Sequence, residues 1–185
     1  MREAPEAGLE PLAPDPPAEG ALAPVAGALA ALNRAIDHVG SVALVAAALI
    51  LTYSVVSRYF FKAATDWQDE AAVFCIVGAV FMSSAYVQSF RGHIGIGLLA
   101  SLLSPAANRV RALVVDIASF LFSAFFAWKS WTLWHEAWVD KQTTTSSWAP
   151  PLWIPYGLMA FGITLLAVQI ALQIATRLQH WEERP

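Results

Sequence analysis

Four histidines point most directly to chemistry, because a four-helix membrane bundle can hold haem between paired histidines at matching depth. They are His38, His93, His135 and His180. His38 and His93 each fall near the end of an apolar stretch on the same expected side of a membrane, so this pair is geometrically conceivable. The other two are not paired. Terminal histidines more often face lipid headgroups, and we therefore predict no cofactor.

Two further ionisable residues, Asp116 and Lys129, lie 13 positions apart within one long apolar stretch. A chain that moves ions by itself usually has ionisable groups or broken helices near the bilayer midplane. Both residues can instead reach an interface. Asp116 is either a contact to a partner protein or an interfacial residue, and Lys129 is expected at headgroup depth. The single cysteine, Cys75, is expected to be a packing residue. The sequence thus predicts neither an enzyme nor a metal site.

The elements that position these residues are membrane spans. Of the 185 residues, 57% are hydrophobic and 14% charged, against about 25% charged in soluble domains. Four apolar blocks, at 39–56, 71–90, about 109–138 and about 152–176, come close to or exceed the ~20 residues needed to cross hydrocarbon. We predict an all-α integral membrane domain of four transmembrane helices over residues 33–178. An apolar connector between the second and third helices, residues 92–108, is expected to lie in the interface.

The segments that flank the membrane domain are expected to be cytoplasmic tails. Residues 1–32 are acidic and rich in Pro and Ala, which indicates a flexible tail, and residues 179–185 form a second short tail. No basic tract suggests nucleic acid.

Charge asymmetry predicts the orientation, because cytoplasmic flanks carry the excess of Lys and Arg. Seven basic residues fall on one side, namely Arg2, Arg34, Arg91, Arg109, Arg111, Arg177 and Arg184. Three fall on the other, namely Arg58, Lys62 and Lys141. Both termini are therefore expected in the cytoplasm. Seven of the eight tryptophans fall at the opposite face.

Two sequence patterns indicate packing surfaces. Small residues recur every four positions on the second helix, at Ala71, Cys75, Ala79 and Ser83. Such a groove lets another helix approach closely, either within this chain or in a partner. On the third helix, Trp131, Trp134 and Trp138 share one side. They form either an aromatic belt or a docking surface.

The order of several short motifs resembles the small membrane subunit, DctQ, of tripartite ATP-independent periplasmic (TRAP) transporters. The motifs are Trp67-Gln68-Asp69-Glu70, Ser83-Ser84-Ala85, Arg91-Gly92-His93-Ile94, and the segment 148–159 followed by Gly162. The likeness covers about 36–178. Two departures are the Asp69-Glu70 form of a carboxylate pair and the lack of an Asp shortly after His93.

The resemblance implies a bacterial inner-membrane importer in which a periplasmic receptor captures a solute, usually an organic acid. A large multi-helix subunit then moves the solute with a sodium gradient, and the small subunit scaffolds it. Membrane lipids and those two proteins are the expected partners. The candidate interface residues are Trp67, Asp69, Glu70, Ala71, Cys75, Ala79, Ser83, Asp116, Trp131, Trp134 and Trp138.

Two other classes of function fit four membrane spans. One is an electron-transfer or anchor subunit, which the poor pairing of histidines disfavours. The other is a stand-alone membrane assembly protein. Substrate choice is expected to reside in the receptor and the large subunit, so this sequence does not name the solute.

Overall fold

The computed structural model describes residues 18, 20, 22–63, 65–90 and 104–179. Helix α1 covers Leu22–Val56 and continues as a π-helical turn, Ser57–Phe61. Helices α2, α3 and α4 cover Asp66–Ser89, Pro105–Val139 and Trp153–Gln179. All four are long and apolar enough to cross a membrane. The predicted all-α architecture of four spans is confirmed. Residues 91–103, which include most of the connector, lie outside the described residues, as do 1–17 and 180–185.

Several helix ends differ from the sequence-based boundaries, and helix α2 begins at Asp66 instead of Ala71. Helix α1 begins at Leu22 and so includes residues 22–32, which the sequence assigned to the tail. These residues are rich in Ala and Leu, which favour helix. Helix α3 begins at Pro105, where the Ser104 Oγ accepts a hydrogen bond from the Ala107 amide at 3.3 Å. This cap, with proline in the first turn, starts the helix before Arg109. Helix α4 runs past Arg177 to Gln179.

The helices form an open layer in the order α1, α2, α4, α3. Helix α1 packs on α2, α2 packs on α4 and α4 packs on α3, while α1 reaches α4 only to a small extent. Within the most apolar stretch of each helix, 44% of the residues are buried in α4 and 17% are buried in each of the other three helices. Helix α4 is therefore the most buried of the four helices, and α1 and α3 form the two edges of the layer.

Two glycines set the closest helix contacts. A Cβ at Gly40 of α1 would lie 2.7 Å from the Ser83 Oγ and 3.5 Å from the Ala79 Cα of α2. A Cβ at Gly162 of α4 would overlap the carbonyl group of Phe81 in α2. Only residues without side chains allow backbones to approach this closely. Helix α2 is thus held tightly on both sides.

The two ends of the layer differ in composition. The tryptophan end carries Trp67, Trp128, Trp131, Trp134, Trp138, Trp148 and Trp153. The arginine end carries Arg34, Arg109, Arg111 and Arg177. The loop between α3 and α4 lies at the tryptophan end, where the Thr144 amide donates to the Pro150 carbonyl at 3.1 Å. Lys141 and Ala149 adopt left-handed backbone conformations in this loop, with φ of 50° and 46°.

Candidate functional site

A row of polar side chains on α4 connects all four helices near the arginine end. Gln169, Gln173 and Arg177 follow one another at intervals of four residues and therefore share one face of the helix. The Asn33 Nδ2 of α1 donates to the Gln169 Oε1 at 3.0 Å. The Gln88 Nε2 of α2 donates to the Gln173 Oε1 at 2.9 Å, and the Gln173 Nε2 donates to the Gln88 carbonyl at 3.0 Å. All four amide side chains are buried.

The third residue of this row, Arg177, forms an ion pair with Asp116 of α3. The Asp116 carboxylate lies 3.5 Å from the Arg177 guanidinium, and the two side chains are 6% and 18% exposed. Asp116 on α3 is thus paired within the chain, with a residue 61 positions later. A buried ion pair is strongly destabilised by the loss of one member. This placement gives Asp116 a partner within the chain, while its contact to a partner protein stays a prediction.

The sequence pattern alone did not predict the two pairs of hydrogen-bonded amide side chains. Asn33, Gln88, Gln169 and Gln173 carry no charge and are scattered among apolar blocks. The spacing of 169, 173 and 177 was the available signal, because polar residues at successive turns of an apolar span face protein rather than lipid.

A smaller polar cluster joins α1 to α2 at the tryptophan end. The Arg58 guanidinium contacts the Asp69 carboxylate at 3.2 Å and donates to the Thr65 Oγ1 at 2.6 Å. The Ser54 Oγ donates to Asp69 at 3.3 Å. Because the Arg58 and Asp69 side chains are 62% and 55% exposed, this ion pair is expected to stabilise the chain little. Both charges remain accessible to a partner.

Tryptophans from α3 and α4 form an aromatic cluster at the same end. Ring centroids are 5.4 Å apart for Trp131 and Trp134, 5.9 Å for Trp134 and Trp138, and 4.9 Å for Trp138 and Trp153. The Trp131 Nε1 donates to the Thr164 Oγ1 at 3.0 Å. The shared side of these tryptophans therefore packs on α4, although Trp131 and Trp138 stay 40% and 53% exposed.

The small-residue groove of α2 is partly filled by this chain. Ala79 and Ser83 lie against Gly40 of α1, whereas Ala71 and Cys75 are half-buried. An intrachain contact therefore accounts for the deeper half of the groove. Of the other candidates, Trp67 is 46% exposed and Glu70 is half-buried.

The histidines do not come together in the part of the chain that the structure describes. His38 lies on α1 toward the arginine end, His135 lies on α3 at the tryptophan end, and both are exposed. His93 and His180 fall outside the described residues. Among those described, no group of three or more His, Cys, Asp or Glu could hold a metal ion.

Comparison with known proteins identifies the family. Comparison with curated proteins and comparison with solved structures each find no match. The family model described as "Tripartite ATP-independent periplasmic transporters, DctQ component" matches residues 47–180. The match starts within α1 and covers α2, α3 and α4, including the tryptophan cluster and the polar row of α4. With more than half of its length matched, the chain belongs to the DctQ family of small membrane components of TRAP transporters.

Proposed function

We propose that this multi-pass inner-membrane protein scaffolds the large transport subunit of a TRAP transporter, without a solute pathway of its own. The complete system would take up an organic acid that a periplasmic receptor captures, and a sodium gradient would drive the large subunit. Membership of the DctQ family supports the place in a TRAP complex. The scaffolding role rests on the physical character of the four helices.

The open layer is the observation that carries this proposal. A pathway through a membrane protein is enclosed by several helices and lined by polar groups. Here the helices follow one another in a row, and residues 39–57, 71–90, 117–128 and 153–176 contain no Asp, Glu, Lys, Arg or His. The buried amides near the arginine end bond to one another. This arrangement favours support over conduction.

The edge helices leave much apolar surface for neighbours. On α1, Val42, Leu49 and Val55 are 69%, 66% and 67% exposed. On α3, Leu121 and Phe122 are 62% and 69% exposed. Lipid or another membrane protein can cover such surfaces, and we propose that the large subunit covers at least one of these edges.

The tryptophan end is the proposed periplasmic face. The excess of Lys and Arg at the opposite end supports cytoplasmic termini. Exposed Trp67 and Trp138, together with the accessible Arg58 and Asp69, offer aromatic and charged groups of the kind enriched at binding surfaces. We propose that the receptor docks on this face.

Reconstituted uptake tests the proposal. The large subunit, with and without this chain, is placed in proteoliposomes with the receptor, a sodium gradient and a labelled organic acid. We expect uptake only when both membrane subunits are present. This chain alone should neither bind nor move solute. Full uptake by the large subunit alone, or solute-dependent currents from this chain alone, would contradict the scaffold role.

A further inference from the structure

An apolar groove of about 440 Å³ opens between α2 and α4 at the tryptophan end. Its lining includes Val73, Val77 and Phe81 of α2 and Tyr156 and Met159 of α4. Farther along, the backbones of α2 and α4 come into contact where Gly162 meets Phe81. The groove is thus a wedge between two neighbouring helices of the layer.

The groove has the depth of one bilayer leaflet. Glu70 and Phe81, at its two ends on α2, are eleven residues apart, which corresponds to about 16 Å along a helix. The hydrocarbon core is about 30 Å thick. At Phe81 the backbone of α4 closes the groove, because Gly162 lies directly against the Phe81 carbonyl. A partner helix would follow the full thickness of the membrane, whereas an acyl chain ends near its middle.

A carboxylate stands at the tryptophan end of this groove. The Glu70 Oε2 is buried and has no hydrogen-bond partner among the residues that the structure describes. Its neighbour Asp69, by contrast, accepts hydrogen bonds from Ser54 and Arg58. A buried carboxylate oxygen without a donor costs free energy that a cationic donor would offset. Glu70 thus places a carboxylate oxygen that lacks a hydrogen-bond donor at the tryptophan end of the apolar groove.

We propose that this groove binds a phospholipid with a primary ammonium headgroup, such as phosphatidylethanolamine. One acyl chain lies along Val77 and Phe81, and the ammonium group donates a charge-assisted hydrogen bond to the Glu70 carboxylate. Anionic headgroups are disfavoured, because the Glu70 carboxylate lies at the headgroup position and, unlike Asp69, has no cationic partner among the described residues. Bound in this way, the lipid fills the space between α2 and α4.

Native mass spectrometry of the full-length chain tests this proposal. The protein is purified in mild detergent and supplied with equal amounts of phosphatidylethanolamine, phosphatidylcholine and phosphatidylglycerol with the same acyl chains. We expect phosphatidylethanolamine to be retained about tenfold better than phosphatidylglycerol, the ratio that a charge-assisted hydrogen bond provides. Glu70→Gln should remove this preference while keeping the side-chain shape. Asp140→Asn, which changes an exposed carboxylate at the same end, should leave the preference intact.

A second pair of variants tests the slot independently of the charge. Val77→Trp fills the groove and should lower retention of all three lipids. Val80→Trp, at a position that is 58% exposed and outside the groove, should not. Three results would each overturn the proposal. Glu70→Gln could keep the preference for phosphatidylethanolamine, the two tryptophan variants could retain lipid equally well, or phosphatidylglycerol could be the lipid retained best. Glu70→Gln releasing a co-purified membrane protein without any change in lipid would also overturn it, because a protein side chain would then be the partner of Glu70.

Discussion

Gly162 of α4 lies directly against the main-chain carbonyl of Phe81 in α2, so that the two backbones touch. This contact joins the two central helices of the layer. It also ends the apolar groove, which begins where the helices separate. One glycine therefore determines both the closest approach of α2 to α4 and the depth of the space beside it.

Replacing Gly162 by Ala should destabilise the chain, because the added Cβ meets backbone atoms that cannot rotate away. Overpacking of this kind typically costs about 1–3 kcal/mol. The measurement is thermal unfolding in detergent, followed by size-exclusion chromatography after heating. Gly27→Ala is the matched control, since nothing lies within 4 Å of a Cβ at Gly27. Equal melting temperatures for the two variants would contradict the close contact.

The Gln88–Gln173 pair should show strong coupling. Gln173→Leu leaves the buried Gln88 amide without its partner, a loss that typically costs about 1–3 kcal/mol. Gln88→Leu combined with Gln173→Leu should cost less than the sum of the two single changes, because neither side chain is then left polar and alone. A double-mutant cycle measured by thermal unfolding checks this. Strict additivity would mean that the two side chains do not interact.

Orientation can be measured by cysteine labelling. In a Cys75→Ser background, a cysteine at Thr144 in the α3–α4 loop should react with a membrane-impermeant maleimide from the periplasmic side. A cysteine at Gln179, at the end of α4, should react only after the membrane is opened. The reverse pattern would contradict cytoplasmic termini and the proposed receptor face.

Variants of two tryptophans should distinguish an effect on the stability of the chain from an effect on docking of the receptor. Trp134 is half-buried between Trp131 and Trp138 and lies against Gly157, so Trp134→Ala should lower the free energy of unfolding by about 0.5–3 kcal/mol. Trp67 is 46% exposed, so Trp67→Ala should leave stability unchanged and reduce receptor-dependent uptake. Trp128→Ala serves as the control, since Trp128 is 64% exposed on α3 and stacks with Lys129. Equal uptake by the Trp67 and Trp128 variants would argue against docking at Trp67.

The sequence was most informative where the bilayer itself imposes the pattern. The four spans follow from the length of apolar stretches, and the close approach at Ala79 and Ser83 follows from their small side chains. The order of helices in the layer does not follow from hydropathy, because all four helices carry apolar residues around much of their circumference, and α2 does so most evenly. That α4 would be the most buried depends on contacts between residues far apart in the chain, as for Asp116 and Arg177.

Helix ends were harder to predict than helix identity. The residues 22–32 are poor in charge and lack a stop signal, yet their position next to an acidic tail made them look like part of it. The start of α3 depends on a single hydroxyl, that of Ser104, in a stretch that otherwise resembles the connector. Such ends are decided by one or two hydrogen bonds, which a pattern of hydropathy does not record.

The row of Gln169, Gln173 and Arg177 also fixes an order of events during biosynthesis. A ribosome makes Asn33, Gln88 and Asp116 before it makes α4, so each of these side chains enters the membrane before its counterpart exists. The arginine end can therefore reach its final arrangement only after α4 has been translated and inserted. A chain stopped short of residue 169 would carry three polar groups in its first three helices without the contacts that α4 provides.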